Sequence, residues 1–210
     1  MVEEDWLVTF ADAITLLMAF FVLILTFSEV NQSTFEQVQA SMAREIGHRS
    51  VEQPLNLFSL NLKKLSSDVK LDDEITVDMS SQGILIDLSS EALFDAGSAE
   101  LKSRALPFFN GLADMLLIPV YQEYNIEVEG HTDDVPISTP AFPSNWELSA
   151  ARAASVARYL IQHRVKAPRF TVSGYADIKP KVANKDMSGE ALPENRALNR
   201  RIVVHLKVPD

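Results

Sequence analysis

The chain has 210 residues and a formal net charge of −10, with 47% apolar and 23% charged residues, a composition that allows a folded domain plus extra segments and excludes wholesale disorder or a polytopic membrane protein. The acidic balance argues against a nucleic-acid partner, which needs clustered Lys and Arg to neutralise phosphates. The absence of cysteine excludes disulfides, thiolate metal sites and cysteine nucleophiles, and leaves the compartment open.

The first element in chain order is an apolar run from Leu7 to Phe27 whose only charge is Asp12. At ~1.5 Å per residue it spans roughly 31 Å, the thickness of a bilayer core, so a single transmembrane helix is expected. Its N-terminal flank is acidic (Glu3, Glu4, Asp5) and no small-residue cleavage site follows, which favours an uncleaved anchor over a signal peptide. Basic residues are too distant to orient the span, and topology stays open at this point. A carboxylate in hydrocarbon is costly unless neutralised or partnered, so Asp12 is by default a functional residue. Thr15, Leu16 and Ala19 share its helix face. The Thr15 hydroxyl would either supply an oxygen ligand or bond back to its own helix.

Next, Val30, Phe35, Val38, Met42 and Ile46 recur at helical spacing behind the capping-box pattern Ser33-x-x-Glu36, with Gly47 as a stop. Such an amphipathic helix can lie on headgroups, pack on a partner or serve as a simple stalk. Residues 48–54 are polar, end in Pro54 and read as a linker. Leu55, Phe58, Leu62, Leu65 and Val69 form another helical stripe. The period then changes to two at Ile75, Val77 and Met79, and again at Ile84, Ile86 and Leu88, a β-hairpin around residues 80–83.

A helix follows with Leu106, Phe109, Ala113 and Leu116 on one face, then a strand at Ile126–Glu129. The pattern continues with a long helix over Glu147–His163, a strand at Phe170–Ser173, a helix near Pro193–Asn199 and a strand at Ile202–Val208. Strands alternating with helices predict the α/β class, an α+β sandwich of one sheet with helices against it. The expected division is 1–28 for tail and membrane helix, 29–72 for amphipathic helix and linker, and 73–210 for the globular domain.

Two stretches are more polar than packing requires: Glu129–Ile137 just after a strand, and Ser144–Leu160 opening the long helix. Asn145 can cap that helix, and Arg152 falls about two turns in. An acid at Asp133 facing Arg152 across a cleft would suit a zwitterionic ligand, carboxylate for its ammonium and guanidinium for its carboxylate. A plain Asp133–Arg152 salt bridge is the competing explanation. Four scattered histidines and no cysteine offer no metal-ligand spacing, so neither a metal nor a cofactor is expected, and His131 is assigned to supporting the turn.

The motifs LFDAGSAEL (Leu93–Leu101), VEGHTDDVPI, FPSNWELSAARAASV, GYADIKP and NRRIVVHL (Asn199–Leu206) resemble an OmpA-like peptidoglycan-binding domain of the MotB variety. The run WLVTFADAITLLMAFFVLILTFSEV is similar to the transmembrane helix of MotB and PomB stator subunits, and FEQVQASM to the segment those proteins use as a plug. The resemblance implies a cytoplasmic N-terminus, a single pass through the bacterial inner membrane and a periplasmic globular domain. It implies a homodimer inside a ring of MotA- or PomA-like multi-span subunits. Asp133 and Arg152 match the positions that hold the diaminopimelate part of the peptidoglycan stem peptide, with Thr132, Asn145, Leu148, Arg196 and Arg200 as secondary contacts.

The leading expectation is therefore a stator subunit of an ion-driven rotary motor, flagellar in the first instance, with Asp12 as the carboxylate that binds a transported proton or sodium ion. Relatives of the Zorya antiphage motor are an alternative. So is a passive tie between membrane and cell wall, although a passive tie gains nothing from Asp12. An enzyme is not expected, because no nucleophile–base pair or second catalytic carboxylate stands at a convincing spacing.

Overall fold

A computed structural model of the chain describes residues 5–27, 54–80 and 83–207. The apolar run forms helix α1 (Asp5–Phe27), and its side chains from Leu7 to Leu23 are all exposed. Among the described residues, however, no helix is long and apolar enough to cross a membrane, so a helix stands where one was expected but a membrane span is not shown. The amphipathic segment 31–46 and residues 48–53 of the linker lie outside the described residues.

The globular part begins with α2 (Pro54–Asp68) and the hairpin β1 (Ile75–Ser80) and β2 (Gly83–Ser89). A single-turn helix α3 (Ser90–Leu93), α4 (Leu106–Leu116) and β3 (Asn125–Gly130) follow. The chain then forms α5 (Asn145–Gln162), β4 (Phe170–Gly174), α6 (Pro193–Asn199) and β5 (Arg201–Lys207). One sheet has the order β1-β2-β5-β3-β4. Its pairs are antiparallel except β3 with β4, which α5 joins as a parallel crossover.

Alternation places one face of this sheet against the helices. Val77, Ile86, Val204 and Val128 stand opposite one another in register across four strands, and all four are buried. Each such side chain contributes about 1.5–3 kcal/mol through burial. The other face carries Asp87, Glu127, Glu129, Arg201, His205 and Lys207, paired largely among themselves: Lys207 bridges Glu127, and Arg201 lies 3.8 Å from Asp87.

Two boundaries differ from the expectation. Leu55, Phe58 and Leu62 of α2 are fully buried in the same core as the strands, so residues 54–68, grouped with the linker on pattern alone, pack with the globular domain. Helix α5 starts at Asn145, and its cap is Ser144, whose Oγ accepts from the Trp146 N–H at 3.2 Å. Ser144 also donates to Glu147 Oε2 at 2.5 Å, joining the two ends of a Ser-x-x-Glu pattern. The Asn145 amide instead donates to the Val135 carbonyl at 2.9 Å.

Candidate functional site

The end of β3 and the start of α5 meet because glycine lets them. A Cβ on Gly130 would lie 2.0 Å from the Ser149 carbonyl oxygen, and one on Gly174 would lie 2.6 Å from the Ala150 nitrogen. With α5 seated this closely on β3 and β4, the turn after β3 reaches the helix flank. That turn is fixed by backbone bonds from His131 N–H to Arg201 O (3.0 Å) and from Thr132 N–H to Ala176 O (2.8 Å). Beneath it, His131 is 1% exposed, stacks on Tyr175 with 5.4 Å between ring centroids and approaches Glu129 Oε2 to 3.2 Å. His205 lies 3.6 Å from the same oxygen. Hydrogen bonds from His131 first, then His205, hold the Glu129 carboxyl well below the usual carboxylate range against the opposing effect of burial.

Thr132, Asp133, Asn145, Leu148, Arg152 and Arg200 line one cavity of about 780 Å³. Of the residues singled out for the site on sequence grounds, Arg196 alone is outside this lining. Its guanidinium grips Asp134 through two bonds, 2.6 Å and 3.1 Å, and so braces the neighbour of Asp133.

Asp133 and Arg152 are not each other's partners. Asp133 Oδ2 accepts from Arg200 Nη1 at 2.7 Å, and Oδ1 accepts from the Val135 N–H at 3.1 Å. Arg200 also bonds Glu91 across the mouth of the cavity. Arg152, 5% exposed, donates from Nε to Ser98 O at 2.8 Å and from Nη2 to Asp95 O at 3.2 Å. Its Cζ lies 5.2 Å from the Phe94 ring centroid. Among the described residues Arg152 has no carboxylate partner. Burial, helped by the nearby charge of Arg200 and opposed by Asp133, brings its pKa down to about 10, so it remains a cation at neutral pH. For Arg200 burial acts downward, but the bonds to Glu91 and Asp133 raise it overall.

The cavity therefore holds an aimed guanidinium with neutral supports and, across from it, a carboxylate with lone pairs to spare. A carboxylate would neutralise Arg152, and an ammonium would complete Asp133. Sequence reasoning missed the wall opposite α5: Glu91, Phe94 and the Asp95–Ser98 turn, where Gly97 adopts φ +65°. The Asp-Ala-Gly-Ser pattern was a turn signal, but nothing local says that its carbonyls orient an arginine 54 positions away.

No group of His, Asp and Glu among the described residues could hold a metal ion. Away from the cavity, on α1, the Thr15 hydroxyl donates to the Asp12 carbonyl at 2.9 Å, the back-bonded alternative of the two considered for it.

Comparison with known proteins places two family models on the chain. The OmpA family matches residues 93–196, and the family described as the membrane MotB of the proton-channel complex MotA/MotB matches residues 2–46. The chain is 34% identical to the protein YtxE of Bacillus subtilis over 92% of its own length and 86% of that protein's. It is 28% identical to Motility protein B of the same organism, covering 97% and 90%. Among solved structures, a MotB-like protein from Desulfovibrio vulgaris superposes with a TM-score of 0.63 at 29% identity, over 73% of this chain and 94% of that one.

Proposed function

Because the chain belongs to the MotB-type stator proteins with a C-terminal OmpA-like domain, we propose that it anchors the stator of an ion-driven flagellar motor to peptidoglycan and carries one of its ion-binding groups. The observation that carries the anchoring half is the pair of unmatched needs in one cavity: Arg152 without a carboxylate, and Asp133 with acceptor capacity left. The diaminopimelate of a stem peptide supplies both complements, since its side chain ends in an ammonium and a carboxylate on one carbon. The carboxylate meets Arg152 and the ammonium meets Asp133. Thr132, Asn145, Leu148 and Arg200 shape the walls, and Arg196 positions the turn through Asp134. The chain acts as an anchor and channel component, not as an enzyme.

For the membrane half, α1 is the single pass through the inner membrane, with the N-terminus cytoplasmic and the globular domain on the periplasmic side. Two copies stand within a ring of MotA- or PomA-like subunits. Asp12 takes and releases the transported proton or sodium ion, with Thr15 beside it on the same helix face, its hydroxyl bonded back to the Asp12 carbonyl. Residues 31–46 plug the pathway until the subunit docks in the motor. The hydropathy of Leu7–Phe27 and the match of residues 2–46 to the MotB membrane family support this half.

The test is motility of a deletion strain carrying Asp12→Asn. Rotation should stop while the subunit still assembles at motors, and retained torque refutes the role of Asp12. Separately, purified full-length protein should co-sediment with peptidoglycan sacculi, and Asp133→Ala should abolish this.

A further inference from the structure

The two ends of β3 differ in character. Beyond its C-terminal end at Gly130 lie His131 to Asp133 and the cavity that Arg152 lines. Before its N-terminal end at Asn125 the chain passes through the Pro119–Tyr121 turn. Helix α2 begins beside that turn: the Tyr121 hydroxyl bonds the Pro54 carbonyl at 2.8 Å, and the Tyr121 ring meets Phe58 at 4.7 Å. Six residues of strand, at ~3.3 Å each, keep the two ends about 20 Å apart.

Apolar side chains stand uncovered at the N-terminal end. Ile118 and Val120, on either side of Pro119, are 44% and 48% exposed. Leu57 and Leu60, in the first two turns of α2, are 40% and 65% exposed, away from the buried Leu55, Phe58 and Leu62. Helix α2 runs antiparallel beside α4. Its start meets Tyr121, and Leu65 near its end meets Gly111, where an added Cβ would lie 2.6 Å from the Leu65 side chain. At 3.6 residues per turn, Leu57 falls between Leu60 and the Phe58–Leu65 row that faces α4. Leu57, Leu60, Ile118 and Val120 therefore share one corner of the domain.

Charge follows the same corner. In a chain of net charge −10, residues 54–67 of α2 hold Lys63 and Lys64 and no acid, and both lysines are exposed. Lys64 lies one turn beyond Leu60 on the outer face. Glu123, which follows the Pro119–Tyr121 turn, has the charge of Arg169 beside it. Apolar side chains flanked by lysine fit the boundary between acyl chains and anionic headgroups. Residues 28–53, which lead from α1, also arrive at this corner, because α2 opens at Pro54.

We propose that this corner is a membrane-resting surface, which seats the globular domain on the anionic headgroups of the bilayer, a seating that presupposes α1 as the membrane span. Tethered by residues 28–53, the domain meets that bilayer at high effective concentration, so a shallow patch suffices to hold it. Seated this way, the C-terminal end of β3 and the cavity lined by Asp133 and Arg152 face away from the lipid.

Full-length protein in nanodiscs of phosphatidylglycerol and phosphatidylethanolamine tests it. The chain has no cysteine, so Asn61→Cys gives a single labelling site for a fluorophore on the exposed side of α2. Met187→Cys gives a second, fully exposed, in the segment that Lys185 ties to Asp134 at the cavity end. Lipids carrying a doxyl group near the headgroup should quench the label at 61 about threefold more than the label at 187. Lys63→Glu combined with Lys64→Glu, and separately Leu60→Asp, should each remove most of that difference; all three positions are exposed, so the core is untouched. Equal quenching at 61 and 187, or a difference that survives either variant, overturns the resting surface. A label at 61 shielded from aqueous iodide yet unquenched by doxyl lipid also overturns it, and marks the corner as covered by protein. Failure of the protein to enter nanodiscs sinks the span reading and the resting surface together, whereas entry without selective quenching sinks the resting surface alone.

Discussion

Asp133 and Arg152 border one cavity without bonding to each other, because Asp133 is taken by Arg200 at 2.7 Å and Arg152 by the carbonyls of Ser98 and Asp95. The cation and the anion thus line the same cavity with neither serving as the other's hydrogen-bond partner. A direct salt bridge would have cancelled both charges and left the cavity with little to offer a zwitterion.

Arg152→Lys should lower affinity for a diaminopimelate peptide by about tenfold or more. Lysine keeps the charge but lacks the planar fork that meets two carbonyls while presenting a further edge to the ligand. Titration calorimetry reads this directly. Undiminished affinity would show that charge alone suffices and that the carbonyl supports are incidental.

Arg200→Ala strips Asp133 of its ionic partner while leaving the carboxylate only 11% exposed. Breaking a fully buried pair costs about 3–5 kcal/mol, but Arg200 is 29% exposed, and solvent screening brings the expected loss to about 2 kcal/mol. Urea denaturation should show the midpoint falling with an unchanged slope. An unshifted midpoint contradicts the assignment.

Gly130→Ala puts a methyl group where the Ser149 carbonyl oxygen stands, 2.0 Å away. Backbone cannot yield as a side-chain tip does, so a loss of about 3 kcal/mol is expected. Ligand affinity should fall with it, because the contact that admits the methyl is the one that brings Asp133 and Arg152 to the same cavity. A thermal melt matching the wild type would dispose of this account of the α5–β3 contact.

Glu129→Gln replaces the carboxylate that His131 and His205 share with a neutral amide, whose single oxygen is a weaker acceptor. The folded-state carboxyl titrates below its ordinary value near 4.5, so the stability it adds is fully present above that pH. This contribution is lost as pH falls through the lower folded-state value. The variant should be less stable than wild type by about 2 kcal/mol between pH 6 and 8, with the gap narrowing below pH ~4.5. Denaturation curves across that range test the sign, and a gap that widens on acidification is incompatible with it.

Much of the fold is legible locally. Period-two runs located β1 and β2, and the 3.6-period stripes located α2, α4 and α5, because burial on one face imposes those periods. The four-residue α3 is too short to carry a period. Membership of a core is a different matter: the Leu55–Phe58–Leu62 stripe announces a buried face, but only the fold shows which strands bury it. The start of α5 was written in Ser144-x-x-Glu147, and Asn145 competes for the same role because both residue types cap well. The Asp133–Arg200 pair joins residues 67 apart in sequence, and no spacing rule reaches that far.

The entry into α2 has a mechanical consequence. The Pro54 carbonyl accepts from the Tyr121 hydroxyl at 2.8 Å, Leu55 and Phe58 are fully buried within the next turn, and the Phe58 ring meets Tyr121 edge-on at 4.7 Å. Tension applied through the chain that leads into Pro54 is therefore met at the first residue of the helix by a side-chain bolt and two core wedges. Peeling α2 away must expose both wedges at once, so the load is shared by the whole core before any turn can fray.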